Sequence, residues 1–373
     1  MGKLGNVKKV AKVTKKATKD IKEVAKKTKD VTKDLQKAKP DTKMSKLKSN
    51  SKGKKRKFSL WQKGLGVVAA VAAVETIITC YFYRRTMIRQ KADVKRTIKM
   101  AGTDWSKHMD IISKRKEFML AQPHEDIYQT AFDGLKLHAT YFPAIKETKD
   151  GKKRVAICFH GYTSQGLKDF IGLTDYYFKN GFAMLHPDAR AHGDSEGDYI
   201  GFGCLDRNDA LGWIKWTIDK YGDDVEIILH GISMGGATVL LTSGLELPSQ
   251  VKGLISDCAF TSPKEVFTHV LKTMYHMPAF PLIQGADLIN KTFAGYGTDE
   301  CNAKREIKKT NIPILFIHGT ADTFVPVKMC HVLYDACVSP KKKLIIKGAT
   351  HAECYFKDMT AYENALDEFI GEL

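Results

Sequence analysis

Residues 225–241 read VEIILHGISMGGATVLL, and the order of features in that stretch decides the fold. Its opening run is apolar without strict alternation, which describes a strand covered on both faces, as in a parallel sheet. Gly231, Ser233, Gly235 and Gly236 follow at once, and ATVLL continues with helical character. A strand that turns directly into a helix bends so sharply that side chains two positions before and two after the apex would strike the neighbouring strand or helix. Here both positions are glycine. The competing turn, that of a nucleotide-binding fold, needs the spacing G-x-G-x-x-G, which is absent.

Working outward, the same strand-then-helix alternation recurs. DIYQTAF (126–132), a DG turn and LKLHATYF (135–142) predict an opening hairpin. RVAICFHG (154–161), FAMLHPD (182–188), VKGLISD (251–257), IPILFIHG (312–319) and KKLIIKG (342–348) join VEIILHG as six buried-strand runs, most separated by amphipathic helical stretches. This predicts an α/β architecture over residues 123–373, a mostly parallel central sheet with helices on both faces. Residues 258–310, rich in Met, Phe, Pro and Tyr, interrupt the alternation and are expected to form a small cap.

Charge divides the chain into two objects. Residues 1–119 hold 34 Lys+Arg against 10 Asp+Glu, whereas residues 120–373 hold 26 against 32. The overall charge of +18 therefore describes a tail, and gives no licence to read the folded part as a nucleic-acid binder. Residues 1–60 carry a thin apolar stripe at Val10, Ala17, Val24 and Val31, with Ile21 and Leu35 between. So few large side chains favour a solvated, helical or disordered tail. Its lysines also suit an anionic lipid surface or another polyanion. Nucleic acid fits less well, because no aromatic residue interleaves the lysines before Phe58.

Residues 65–83, LGVVAAVAAVETIITCYFY, form a 19-residue run with one charge, Glu75. At about 1.5 Å per residue this matches a bilayer core of about 30 Å, so a transmembrane helix is expected over 61–84, flanked by Trp61, Tyr81, Tyr83, Arg84 and Arg85. A signal peptide is the competing reading, and the long basic region ahead of the run argues against it. The 15 residues on either side each carry six Lys+Arg. The local charge rule is thus tied, and the basic tail favours a cytoplasmic N-terminus with the acidic domain outside. Residues 85–122 read as a basic helical connector, with Trp105, Ile111 and Ile112 as contacts. Eight cysteines, none in a C-x-x-C pair, suggest neither a zinc site nor a disulfide framework.

A serine hydroxyl at such a turn becomes a nucleophile when a base removes its proton, and the partners are expected in the chain order Ser, acid, His. Asp322 in HGTADTFVP and His351 in GATHAECY meet that order, each in the loop after a strand's C-terminal end. Asp257, one strand earlier, is the rival acid. Of the twelve histidines, His160 and His230 read as structural, while His186, His192 and His318 follow strands whose loops could reach the site. An oxyanion would need two backbone N–H donors, expected from Met234 and from Tyr162 in HGYTS.

Together HGYTSQG, PDARAHGDSEGDYIGFGCLDRND, HGISMGGATV, DCAFTS, FIHGTADTFVP and GATHAECY resemble the α/β-hydrolase superfamily. Within it, the chain is similar to bacterial membrane-anchored hydrolases grouped with serine aminopeptidase-like and acyl-esterase-like enzymes. The resemblance implies Ser233, Asp322 and His351 as a catalytic triad, Tyr162 and Met234 as oxyanion donors, and no metal or cofactor. It makes the stretch Arg190–Gly197 a structural loop beside the site. Substrate does not follow from a triad. The cap's Phe267, Met274, Tyr275, Met277, Phe280, Leu282 and Phe293 favour an acyl or aromatic ester. A peptidase would want convergent carboxylates, for which only Asp287, Asp299 and Glu300 are available. An aminopeptidase-like amidase is the alternative enzyme, and a catalytically silent membrane-tethered scaffold the alternative of another class.

Overall fold

The computed structural model describes residues 60–89 and 103–373; the expectations for the lysine-rich tail fall outside the described residues. Gly64–Leu373 forms one compact unit. In chain order its elements are helices α1 (Leu60–Thr86) and α2 (Met109–Leu120), strands β1 (Glu125–Thr130), β2 (Lys136–Phe142) and β3 (Arg154–Phe159), helix α3 (Thr174–Lys179) and strand β4 (Phe182–Pro187). Helix α4 (Asp206–Tyr221), strand β5 (Glu226–Ile232), helix α5 (Met234–Thr242) and strand β6 (Val251–Asp257) follow. Then come α6 (Pro263–Thr273), α7 (Leu282–Phe293), α8 (Ala303–Glu306), β7 (Ile314–Gly319), α9 (Val327–Ala336), β8 (Lys341–Ile346), α10 (Cys354–Lys357) and α11 (Met359–Gly371).

The eight strands form one sheet in the order β1-β2-β4-β3-β5-β6-β7-β8. β1 and β2 pair antiparallel around the DG turn, β2 pairs antiparallel with β4, and every later pairing is parallel. Period-2 side-chain alternation divides each central strand between two cores. Val155, Ile157 and Phe159 of β3 face α4 and α5 through Trp213, Ala237 and Leu240. Ala156 and Cys158 face the opposite layer, where Phe170, Tyr177, Tyr362 and Phe369 pack. The loops that leave the parallel strands at their C-terminal ends therefore gather on one edge.

Helix α1 contains the one described segment, Gly64–Thr86, long and apolar enough to cross a membrane, with a mean hydropathy of 2.0 and almost none of it buried. Its C-terminal end is tied to the sheet domain. Ile88 bridges Tyr199, Arg89 N donates to Asp198 O at 2.7 Å, and Ile200 N donates to Met87 O at 2.8 Å. The Arg89 guanidinium donates to the carbonyls of Ser195 and Gly193. In the described part of residues 85–122, Met119 and Ile112 enter the second core, and Trp105 packs edge-on against Phe356.

One expectation is corrected. Cys204 and Cys301 form a disulfide across 97 residues, with Cα atoms 5.4 Å apart. Such pairing is set by distance in space, which spacing along the chain does not reveal. Cys158, Cys258, Cys330, Cys337 and Cys354 are buried free thiols, as expected for small apolar residues.

Candidate active site

The turn between β5 and α5 takes the shape its glycines imply. Ser233 sits at φ +58°, ψ −112°, a backbone state that costs an ordinary residue about 1–3 kcal/mol. A Cβ on Gly231 would lie 2.1 Å from Gly235 O, and one on Gly235 would lie 1.9 Å from Phe159 O. Only glycine fits at either place. The strained turn is held by Ser233 N donating to Asp257 O at 2.8 Å and Ala237 N donating to Ser233 O at 2.9 Å.

Three loops converge here. His351 Nε2 lies 2.8 Å from Ser233 Oγ, and His351 Nδ1 lies 2.7 Å from Asp322 Oδ2. Asp322 Oδ1 accepts from Phe324 N at 2.9 Å and Val325 N at 2.8 Å. Burial alone would push the Asp322 carboxyl up, but His351 and His318, by charge and by hydrogen bond, hold it well below the usual carboxylate range. It is therefore ionised at neutral pH, and the proton shared with His351 belongs on Nδ1, leaving the Nε2 lone pair facing Ser233. Phe324 packs against the His351 ring at 5.0 Å, and Thr103 Oγ1 donates to His351 O at 3.1 Å.

Asp257, the rival acid, has a different environment. Its Oδ2 accepts from the Tyr362 hydroxyl at 3.1 Å while Oδ1 has no partner, and burial pushes its pKa up to about 6 against the pull of His318 and Tyr362. What it gives Ser233 is its backbone carbonyl.

The histidines separate equally clearly. His230 is held between the hydroxyls of Tyr177 and Tyr362, and burial lowers its pKa to about 3. His160 Nε2 accepts from Ala189 N. His186 stands between the rings of Phe142 and Phe170, away from the site, and His192 Nε2 accepts from Thr163 N at 3.3 Å. Of the three that could reach the site, His318 meets the acid, its Nε2 lying 3.3 Å from Asp322 Oδ2 and 2.8 Å from Val325 O.

The loop after β3 brings Gly161 against the serine, since a Cβ there would lie 3.3 Å from Ser233 Cβ. Asp169 was not singled out in the sequence, yet it fixes this loop: its carboxylate accepts from Gly161 N at 2.7 Å and from the Ser164 hydroxyl at 2.5 Å. Tyr162 stacks on Phe202 with ring centroids 5.2 Å apart and donates its hydroxyl to Arg85 O at 3.3 Å. The loop of residues 190–197 is structural: buried Arg190 donates two bonds of 2.7–2.8 Å to Asp209 and one of 2.7 Å to Asp133.

Ser233 opens into an apolar cavity lined by Tyr162, Phe202, Phe260, Val266, Phe267, Val270, Leu271, Met274, Tyr275, Leu282, Ile283 and Phe324. One wall comes from α1, through Thr79, Phe82, Tyr83, Arg85, Thr86 and Met87.

Comparison with known proteins agrees with this fold. A family model described as serine aminopeptidase, S33, matches residues 150–288. The uncharacterised protein YqkD of Bacillus subtilis is 30% identical over 224 residues, covering 60% of this chain and 73% of its own length. The chain belongs to the α/β-hydrolase superfamily. YfhR of Escherichia coli K12 is 25% identical over 235 residues, covering 62% of this chain and 74% of YfhR. Among solved structures, an esterase of Pyrococcus furiosus, Pf2001, shares the fold with a TM-score of 0.56 at 20% identity, over 77% of this chain and 98% of its own. The α/β hydrolase GrgF from Penicillium does so with a TM-score of 0.53 at 17% identity, over 67% and 98%. The protein is an α/β hydrolase by family and by fold.

Proposed function

We propose that this hydrolase cleaves carboxylic esters through an acyl-Ser233 intermediate. The observation that carries the reading is the unbroken relay from Asp322 through His351 to Ser233, at 2.7 and 2.8 Å, at the floor of an apolar cavity. Ser233 Oγ attacks the ester carbonyl carbon as its proton passes to His351 Nε2, and Asp322 stabilises the imidazolium. The N–H groups of Tyr162 and Met234 stabilise the oxyanion. Collapse breaks the C–O bond, and His351 returns the proton to the leaving alcohol. Water then attacks the acyl-serine with His351 as base, and release of the acid restores Ser233.

Ester is favoured over peptide by the state of the cap's carboxylates. Asp287 accepts from Thr298 N and Oγ1 and pairs with Lys291. Asp299 pairs with Lys264, and Glu300 accepts from Gly297 N. No acidic side chain lines the cavity among the described residues, so nothing there would hold a substrate's free amino terminus.

The same proposal has α1 crossing the bilayer and the hydrolase domain on its outer side. Length, hydropathy and exposure of Gly64–Thr86 support the first part. The Cys204–Cys301 disulfide supports the second, because such bonds persist in oxidising compartments. The test is turnover of short- and medium-chain p-nitrophenyl esters beside an aminoacyl-anilide. Ester turnover with little anilide cleavage is expected; selective anilide cleavage would move the protein to the peptidases, and silence on both would favour a scaffold.

A further inference from the structure

We infer that the substrate is an acyl ester resident in the bilayer, whose chain reaches Ser233 laterally through the seam between α1 and the cap. The inference rests on the reading of Ser233 as nucleophile and adds the source and class of its substrate. A membrane anchor that served only as a tether would have no reason to enter the active site. Here the last turns of α1 form a wall of the cavity that holds Ser233, through Thr79, Phe82, Tyr83 and Thr86.

The seam is a packed contact. Ile78 and Phe82 cluster with Leu271, Leu282, Ile283 and Met277 of the cap. Phe82 meets Tyr275 edge-on at 4.8 Å. A Cβ on Gly285 of α7 would lie 3.1 Å from Thr79 Cγ2. Polar ties are sparse: the Tyr83 hydroxyl donates to Asn290 Oδ1 at a long 3.3 Å. Thr79 Oγ1 is buried there without a partner. Apolar contacts of this kind part and reseal without stranding many hydrogen bonds, as an entrance for a hydrocarbon chain requires.

Depth gives the same answer. If the span ends near Tyr83, the cap's contacts from Ile78 to Tyr83 reach about 8 Å below that level, at 1.5 Å per residue. Interfacial elements bury about 5–10 Å into the headgroup and acyl boundary. The cap surface suits that position, with Phe280, Leu288 and Phe293 exposed at 72%, 67% and 64%, large apolar side chains that water disfavours. Continuity between cavity, seam and lipid-facing helix lets an acyl chain pass from bilayer to Ser233 without crossing water. Such a crossing would expose the chain's methylenes to water, which is unfavourable in proportion to its length.

The experiment uses the full chain reconstituted in vesicles of palmitoyl-oleoyl phosphatidylcholine and phosphatidylglycerol. Fatty-acid release from the vesicle lipid is followed beside turnover of dissolved p-nitrophenyl butyrate. Both activities are expected, and both are expected to vanish in Ser233→Ala. In Leu288→Asp and in Phe280→Asp/Phe293→Asp, which place charge on the exposed outer face of the cap, the ratio of lipid to butyrate turnover is expected to fall about tenfold or more. Butyrate turnover without fatty-acid release, or a ratio unchanged in both variants, overturns the lipid inference and leaves the nucleophile intact. Butyrate turnover that survives Ser233→Ala, or is absent from wild type, overturns the nucleophile and the inference with it.

Discussion

Replacing Asp322 by asparagine keeps the two backbone contacts of Oδ1, reverses the contact of Oδ2 to His351 and loses its 3.3 Å approach to His318 Nε2. The amide oxygen can still accept from Phe324 N and Val325 N, which now reach Asp322 Oδ1 at 2.9 and 2.8 Å. The amide nitrogen then faces His351 Nδ1 where Oδ2 stands at 2.7 Å. Two N–H groups cannot satisfy each other, so the imidazole is driven to the tautomer with its proton on Nε2. That proton points at Ser233 Oγ, 2.8 Å away, and the base is lost although every atom is nearly in place. The stabilising charge for the imidazolium goes as well. A wrong tautomer in such a relay lowers kcat by about ten-thousand-fold, or about 5 kcal/mol of barrier. With p-nitrophenyl butyrate the loss should fall on kcat with KM little changed, and thermal unfolding should stay near wild type. A loss smaller than about tenfold would refute the assignment of Asp322, the more so if Asp257→Asn proved the damaging change.

Asp257 makes a prediction of the opposite kind. Its folded pKa of about 6 stands above the ordinary carboxylate value, so the stability its protonated form contributes is fully present below the unfolded pKa and is lost as pH rises through the folded one. Between about pH 4 and pH 7 the wild type should lose about 2 kcal/mol on this account, and Asp257→Asn should lose that much less, as urea midpoints at the two pH values would record. The Cys204–Cys301 bridge closes 97 residues, for which chain entropy gives at most about 5 kcal/mol. Reductant should therefore lower the melting temperature of the wild type while leaving Cys204→Ser/Cys301→Ser unmoved.

What the sequence made legible is what chain order encodes. The elbow announces itself because Gly231 and Gly235 stand where a Cβ would overlap backbone, and the six buried runs become the six consecutive strands β3 to β8. Asp322 and His351 each follow a strand, so order alone proposes them. Order could not decide between Asp322 and Asp257, since both end buried strands and only the 2.7 Å approach to His351 separates them. Contacts between distant segments were illegible for the same reason. The Cys204–Cys301 bridge, the pairing of residues 87–89 with 198–200 and the α1 wall of the cavity each join stretches with no pattern in common. Asp169 illustrates the middle case: it lies eight residues beyond Gly161, and nothing marks it until the loop folds back and its carboxylate meets Gly161 N.

The central claim is that Ser233 is an activated nucleophile, and covalent capture tests it most directly. The full chain in detergent or vesicles is treated with a fluorophosphonate, digested, and the adduct located by mass spectrometry. The account predicts a single phosphonylated residue, Ser233, with labelling abolished in Ser233→Ala and strongly slowed in His351→Ala. Labelling at another serine, or an unmodified Ser233 in a folded chain that hydrolyses esters, would contradict it.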